Sequence, residues 1–332
     1  AVHQSVGFAT QFAAADRVLV ILIENKGVDL GIPDLVDKLL SSVPGANLLP
    51  DSTRQQLVEF IREKIKALTD SLIETAELSI NRYAGSKPEF FGDVIVLRDG
   101  TASYSDLKQT LLAQSRQGKI IDVLILTHGG QDSIDVTGNV TGQKIKDIRT
   151  ELGGPLTIRT VYMMNCIGSS LNQAWIDAGA RVSSGAIRNN YLPEPTTFFF
   201  WQNWKAGKPF EESVTAAYRK TINVMNDGVR GFVRSLPIPG SGAIAEAIDF
   251  ESMDFVRDSA PVIQGQRSLT INSDDLSAAQ STASSLATTV LHVRLLQSLR
   301  STAFEPPART RAFSPAGLDL IKKWEGFRPA LC

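Results

Sequence analysis

Residues 120–130 read IIDVLILTHGG, and the way this stretch ends decides how the rest of the chain is read. A run of Ile, Val and Leu broken only by Asp122 suits a strand buried on both faces, as in a parallel sheet, rather than the half-wet alternation of an antiparallel one. Thr127, His128, Gly129 and Gly130 then stop it abruptly. In open parallel sheets, ligands bind beyond the carboxyl ends of the strands. A histidine followed by two glycines at such an end is therefore a candidate for chemistry.

Outward from this strand the same texture recurs. RVLVILIEN (17–25) reads as a first strand, and FGDVIVLRDGTAS (91–103) as a second closed by Asp99 and Gly100. IIDVLILTHGG is the third, TIRTVYMMNC (157–166) a fourth ending on Cys166, and RVSSGAI (181–187) a fifth. Between them lie amphipathic segments. SYSDLKQTLLAQSRQGK (103–119) has Gly118 as its stop signal, SIDVTGNVTGQKIKDIRTEL (133–152) reads as a short hairpin and then a helix, and SSLNQAWIDAGA (169–180) is a short helix. Two further helices are expected around TFFFWQNWKAG (197–207) and FEESVTAAYRKTINVM (210–225), then a breaker at SLPIPGSG (235–242) and one more strand in APVIQGQRSLTI (260–271). Strands alternating with helices predict an α/β fold: a mainly parallel central sheet with helices on both faces. The expected organisation is one domain over 1–275 with a helical insertion at 33–85, then a helix at 276–303 and a Pro- and Arg-containing linker at 304–313.

Composition narrows the function. The chain has 332 residues with 34 Lys and Arg against 35 Asp and Glu, so no net field favours nucleic acid or an anionic membrane. No apolar run approaches the roughly 20 residues that span a bilayer. The expectation is a soluble protein without nucleic acid as partner, cytoplasmic and exported locations both being open. Two cysteines and three widely spaced histidines exclude a multi-cysteine zinc site and offer no metal-ligand spacing, so neither metal nor cofactor is implied.

His128 and Cys166 gain meaning as a pair. Either alone reads as an ordinary structural residue, since free cysteine is among the most buried residue types. If the third and fourth strands are neighbours, their ends lie about 5 Å apart, and an imidazole can then serve a thiol. The helix expected from about Ser169 points its positive end at Cys166, which favours the thiolate that is the attacking form. Gly129 leaves room for a substrate, and its amide is a candidate oxyanion donor.

With these residues in place, the pattern resembles the caspase-like (caspase–hemoglobinase fold, clan CD) cysteine peptidases, nearest to gingipain, clostripain and the CHAT group. The resemblance rests on DVLILTHGG, TVYMMNCIGSS, the helix–strand–aromatic helix that follows, and KAGKPFEESVTAAYRKT (205–221), and it covers about 15–275. It implies a cysteine endopeptidase acting on a peptide or protein substrate. In that reading Cys166 is the nucleophile, His128 the general acid/base, and the amides of Gly129 and Cys166 the oxyanion hole. Ser183, Ser184 and Arg188 are implied as substrate-binding residues. Met164, Asn165, Cys166, Ile167 and Gly168 depart from the caspase Gln-Ala-Cys-x-Gly, so Asp specificity does not follow.

The last residues, FSPAGLDLIKKWEGFRPALC (313–332), resemble the opening helix of phage-type, endolysin-like lysozymes, with Glu325 at the position of the general acid and Ser314-Pro315 as cap and first helical residue. The expectation at 314–332 is the start of a truncated, inactive lysozyme-like segment, because such chemistry needs a second carboxylate or positioned water across a cleft. Processing of the linker at Arg309 or Arg311, with release of a C-terminal lysozyme-like domain, is the corresponding hypothesis. Two other functions stay open: a non-catalytic caspase-like regulatory or binding module, and the N-terminal portion of a cell-wall-degrading lysozyme fusion.

Overall fold

The structure is a computed structural model that describes residues 14–24, 50–52, 55, 56, 59, 89–193, 195–235 and 241–273. The expected insertion at 33–85 lies almost wholly outside these residues. The helix at 276–303, the linker and the lysozyme-like segment lie wholly outside them.

A six-stranded sheet organises the described residues. It contains β1 (Arg17–Ile23), β2 (Asp93–Arg98), β3 (Ile120–Leu126), β7 (Ile158–Met163), β8 (Val182–Ala186) and β9 (Pro261–Gly265), in the order β2-β1-β3-β7-β8-β9. All neighbours run parallel except β8 and β9. The fold class is therefore α/β, as expected from the apolar runs. A second, three-stranded antiparallel sheet of β4 (His128–Gly130), β5 (Ser133–Asp135) and β6 (Val140–Thr141) stands after β3.

Helices cover both faces. On one side lie α1 (Tyr104–Arg116), α2 (Gly142–Leu152) and α3 (Asn172–Ala178), packed with Val18, Val20, Leu22, Val123 and Ile125. On the other lie α4 (Thr196–Lys205) and α5 (Phe210–Ser235), against Leu19, Ile21, Leu124 and Tyr162. Every residue of β1 is buried, which is why RVLVILI carries no alternation. The helices start and stop where local chemistry dictates. Ser103 caps α1 by accepting from the Asp106 N–H, Thr141 caps α2 through the Lys144 N–H, and Gly153 ends α2 in the left-handed region at φ +77. The aromatic run of α4 builds the second core: Phe200 stacks on Tyr162 at 3.9 Å between ring centroids, and Trp204 and Phe210 meet edge to face. Beyond α5 come the short α6 (Ser241–Ala247) and α7 (Asp254–Asp258).

The structure shortens two expected strands. β3 ends at Leu126, not on the histidine, and β7 ends at Met163, not on Cys166. A parallel strand persists only while its neighbours pair with it. The last β3 contacts run from the Glu24 N–H to the Leu126 carbonyl and from the Met164 N–H to the Ile125 carbonyl. Beyond that point each chain turns off the sheet, His128 into the hairpin of the small sheet and Cys166 into a tight turn.

Candidate active site

β3 and β7 are hydrogen-bonded neighbours in parallel, with Ile125 opposite Met163. His128 and Cys166 each follow that pair by three residues. The two chains leave the same sheet edge side by side; two contacts hold them together afterwards, and a third seats the cysteine turn on β8.

The first is the hairpin tip. Asp132, at φ +55, donates its N–H to Ser170 Oγ at 2.9 Å, while its Oδ1 accepts from the Gly142 N–H at the start of α2 at 3.1 Å. The histidine hairpin is thus latched to the turn that follows Cys166. The second is Gly129: a Cβ there would stand 2.5 Å from Asn165 Nδ2 and 2.5 Å from the Ser133 carbonyl oxygen. The glycine is required because the residue beside the histidine packs directly on the residue beside the cysteine. This corrects the expectation that Gly129 leaves room for a substrate, since Asn165 fills that space. The third is Gly185 on β8, where a Cβ would strike the backbone of Gly168 at 2.3 Å. Only glycine lets the turn after Cys166 lie against β8.

That turn is strained. Ile167 has φ +50 and ψ +25, a left-handed conformation that is a genuine outlier for a β-branched residue and costs on the order of 1–3 kcal/mol. Its N–H donates to the Arg188 carbonyl at 2.7 Å, which ties the strained residue to the loop after β8. Cys166 is 7% exposed, and its Sγ accepts from the Asn190 N–H at 3.4 Å. An amide aimed at sulfur stabilises negative charge there. It takes over part of the role expected of a helix end, because a 3-10 turn (Gly168–Leu171) follows Cys166 and α3 begins only at Asn172, with seven residues. Asn165 Nδ2 donates to the Cys166 carbonyl at 3.1 Å, whereas its buried Oδ1 has no hydrogen-bond partner among the described residues. Cys166 is in a disulfide in this structure, so reduction must precede any nucleophilic chemistry. The other cysteine, Cys332, lies outside the described residues.

His128 is partly exposed and pairs across the small sheet with Asp135, on the same face of the ladder, where Cβ atoms lie about 4.5–5.5 Å apart. One carboxylate oxygen of Asp135 accepts from Ser133 Oγ at 2.7 Å.

The expected substrate-binding residues separate. β8 alternates, so Ser183 and Ser184 face opposite sides of the sheet. Ser183 is fully buried and donates to Asn172 Oδ1 at 2.8 Å, a structural bond on the α3 side that removes it from any substrate pocket. Ser184 lines a small hollow of about 20 Å³ whose walls also hold Met164, Asn190, Thr196, Tyr218 and Ser259. Arg188 does not line it: its side chain is 75% exposed, 3.9 Å from Asp258, and its contribution to the site is the backbone carbonyl that holds Ile167. Arg309, Arg311 and Glu325 lie outside the described residues.

Sequence reasoning missed Asn190, Asn165, the Asp132–Ser170 latch, Asp135 and Gly185. The sole local signal was Gly185 inside a strand, which marks close backbone approach. No cluster of three His, Cys, Asp or Glu suited to a metal exists among the described residues, and no described helix is long and apolar enough to cross a membrane. No family model matches the chain, and no curated protein matches it in sequence.

Proposed function

We propose that the protein is a cysteine endopeptidase with a caspase-like arrangement, in which reduced Cys166 attacks the scissile carbonyl and His128 acts as general acid/base. The observation that carries this reading is the latched pair of strand ends. His128 and Cys166 leave adjacent parallel strands from the same register, and Asp132, Ser170, Gly129 and Asn165 hold their loops in contact.

The mechanism follows from those positions. The Cys166 thiolate, supported by the Asn190 N–H, adds to the carbonyl carbon. The amides of Gly129 and Cys166 are the proposed donors to the oxyanion. His128 protonates the leaving amine as the C–N bond breaks, and the acyl-enzyme is then hydrolysed by water that His128 deprotonates. Asp135, across the ladder from His128, is the proposed third group that orients the imidazole.

The test is hydrolysis of an unfolded protein such as reduced casein by the full chain in the presence of thiol reductant. Cleavage is expected for the wild type, with a loss of at least about a thousandfold in Cys166→Ala and in His128→Ala. Casein cleavage retained in Cys166→Ala would sink the reading.

A further inference from the structure

We infer that the hollow beside Cys166 is the pocket for the residue on the acyl side of the cleaved bond and that it takes a small uncharged side chain, alanine, serine, threonine or valine. The inference rests on the peptidase reading and names its substrate class.

The hollow belongs to the site by shared residues. Asn190 donates its backbone N–H to Cys166 Sγ, and its side-chain Nδ2 donates to the Met164 carbonyl at 2.9 Å. Both Asn190 and Met164 line the hollow. A side chain entering it from a carbonyl attacked by Sγ therefore passes directly over Asn190. The cavity itself is only about 20 Å³, room for roughly one water-sized group, so it admits a small side chain and no long one.

Its chemistry is neutral. Among the described residues that line it, none is Asp, Glu, Lys, Arg or His. The nearby charges Arg188 and Asp258 face each other at 3.9 Å and are not part of the walls. Most polar groups on the walls are already engaged. Thr196 Oγ1 bonds Thr221 Oγ1 at 2.8 Å, the Tyr218 hydroxyl donates to the Val256 carbonyl at 2.7 Å, and Ser259 Oγ accepts from the Tyr191 N–H at 2.8 Å. Asn190 Oδ1 accepts from the Leu192 N–H at 3.0 Å. Burial pushes the Tyr218 phenol up to about 12, so this wall stays uncharged at neutral pH. A guanidinium, ammonium or carboxylate entering here loses its water and meets no counter-charge. On this inference, cleavage after Arg309 or Arg311 is not expected.

The experiment is a fluorogenic peptide library varied only at that residue, run with reduced full-length protein beside Cys166→Ala. The expected result is cleavage after Ala, Ser, Thr or Val at least about tenfold faster than after Arg, Lys or Asp, with the signal absent in Cys166→Ala. Ser184→Asp, where it folds, is expected to bring up cleavage after Arg and Lys. Cysteine-dependent cleavage of the wild type that favours Arg, Lys or Asp would overturn this inference alone. Absence of Cys166-dependent cleavage with every peptide would overturn the peptidase reading and this inference with it.

Discussion

The same two strands, β3 and β7, carry a polar pair at each end, and the two pairs are built on opposite terms. Near the amino ends, Asp122 and Arg159 form a buried two-pronged ion pair at 2.9 and 2.6 Å, 2% and 0% exposed, and Arg159 Nη1 also donates to the carbonyls of Ile271 and Ser273 at 2.6 and 3.2 Å. A register irregularity between Ile121 and Asp122 leaves Arg159 as the extra residue on β7, and the bulge delivers its side chain to Asp122. At the carboxyl ends, His128 is partly exposed, Ile167 is strained, and Asn165 Oδ1 is buried without a partner among the described residues. One end satisfies its charges and fastens the segment after β9. The other holds its polar groups incompletely satisfied, which is the condition the proposed peptidase site would use to meet a substrate.

That contrast is open to attack in order of effect. Arg159→Ala leaves Asp122 as an uncompensated buried charge and is expected to cost about 3–5 kcal/mol in chemical denaturation. The alkylation rate of reduced Cys166 per folded molecule is expected to stay as it was. A coupled loss of both would show that the two ends are one unit. Gly185→Ala drives a methyl group into the Gly168 backbone and is expected to cost about 1–3 kcal/mol while also slowing Cys166 alkylation, because it displaces the cysteine turn. Unchanged alkylation would separate β8 from the site.

Tyr218→Phe is the smallest change, expected to cost about 1 kcal/mol through the lost bond to the Val256 carbonyl. It also carries a pH signature. The folded phenol is raised to about 12 from an ordinary value near 10, first by burial and then by Glu251. The unfolded chain releases its proton first, so the Tyr218 contribution is full below about pH 10 and is lost as pH rises toward 12. Denaturation midpoints of wild type and Tyr218→Phe should therefore converge across that alkaline window. Parallel curves would mean that burial does not raise the Tyr218 phenol in the folded protein.

Strand identity was legible because β1, β3 and β7 are buried on both faces and so read as unbroken apolar runs. The hairpin after His128 was legible too, from SIDVTGNVT. Where β3 and β7 stop was not, since a strand's end is set by its neighbours' last hydrogen bonds rather than by its own residues. The antiparallel direction of β9 had no local signal either. Of the candidate site, His128 and Cys166 could be singled out because their residue types are rare in this chain and stand just beyond apolar runs. Asn190 could not, because its relation to Cys166 exists only through the loop after β8. Gly129 was found but misread: a glycine beside a histidine looks like room for a ligand, and only the tertiary contact with Asn165 reveals close packing.

In the proposed function His128 and Cys166 act as one unit across the β3–β7 edge. The decisive measurement is the rate of Cys166 carboxymethylation with iodoacetate in the reduced full chain, followed from pH 5 to 9 by mass of the Cys166 peptide, for wild type and His128→Ala. The account predicts rapid wild-type labelling that persists below pH 8 and slows at least about tenfold in His128→Ala, because the imidazolium supports the thiolate. Slow labelling of both proteins with the same pH profile would contradict it.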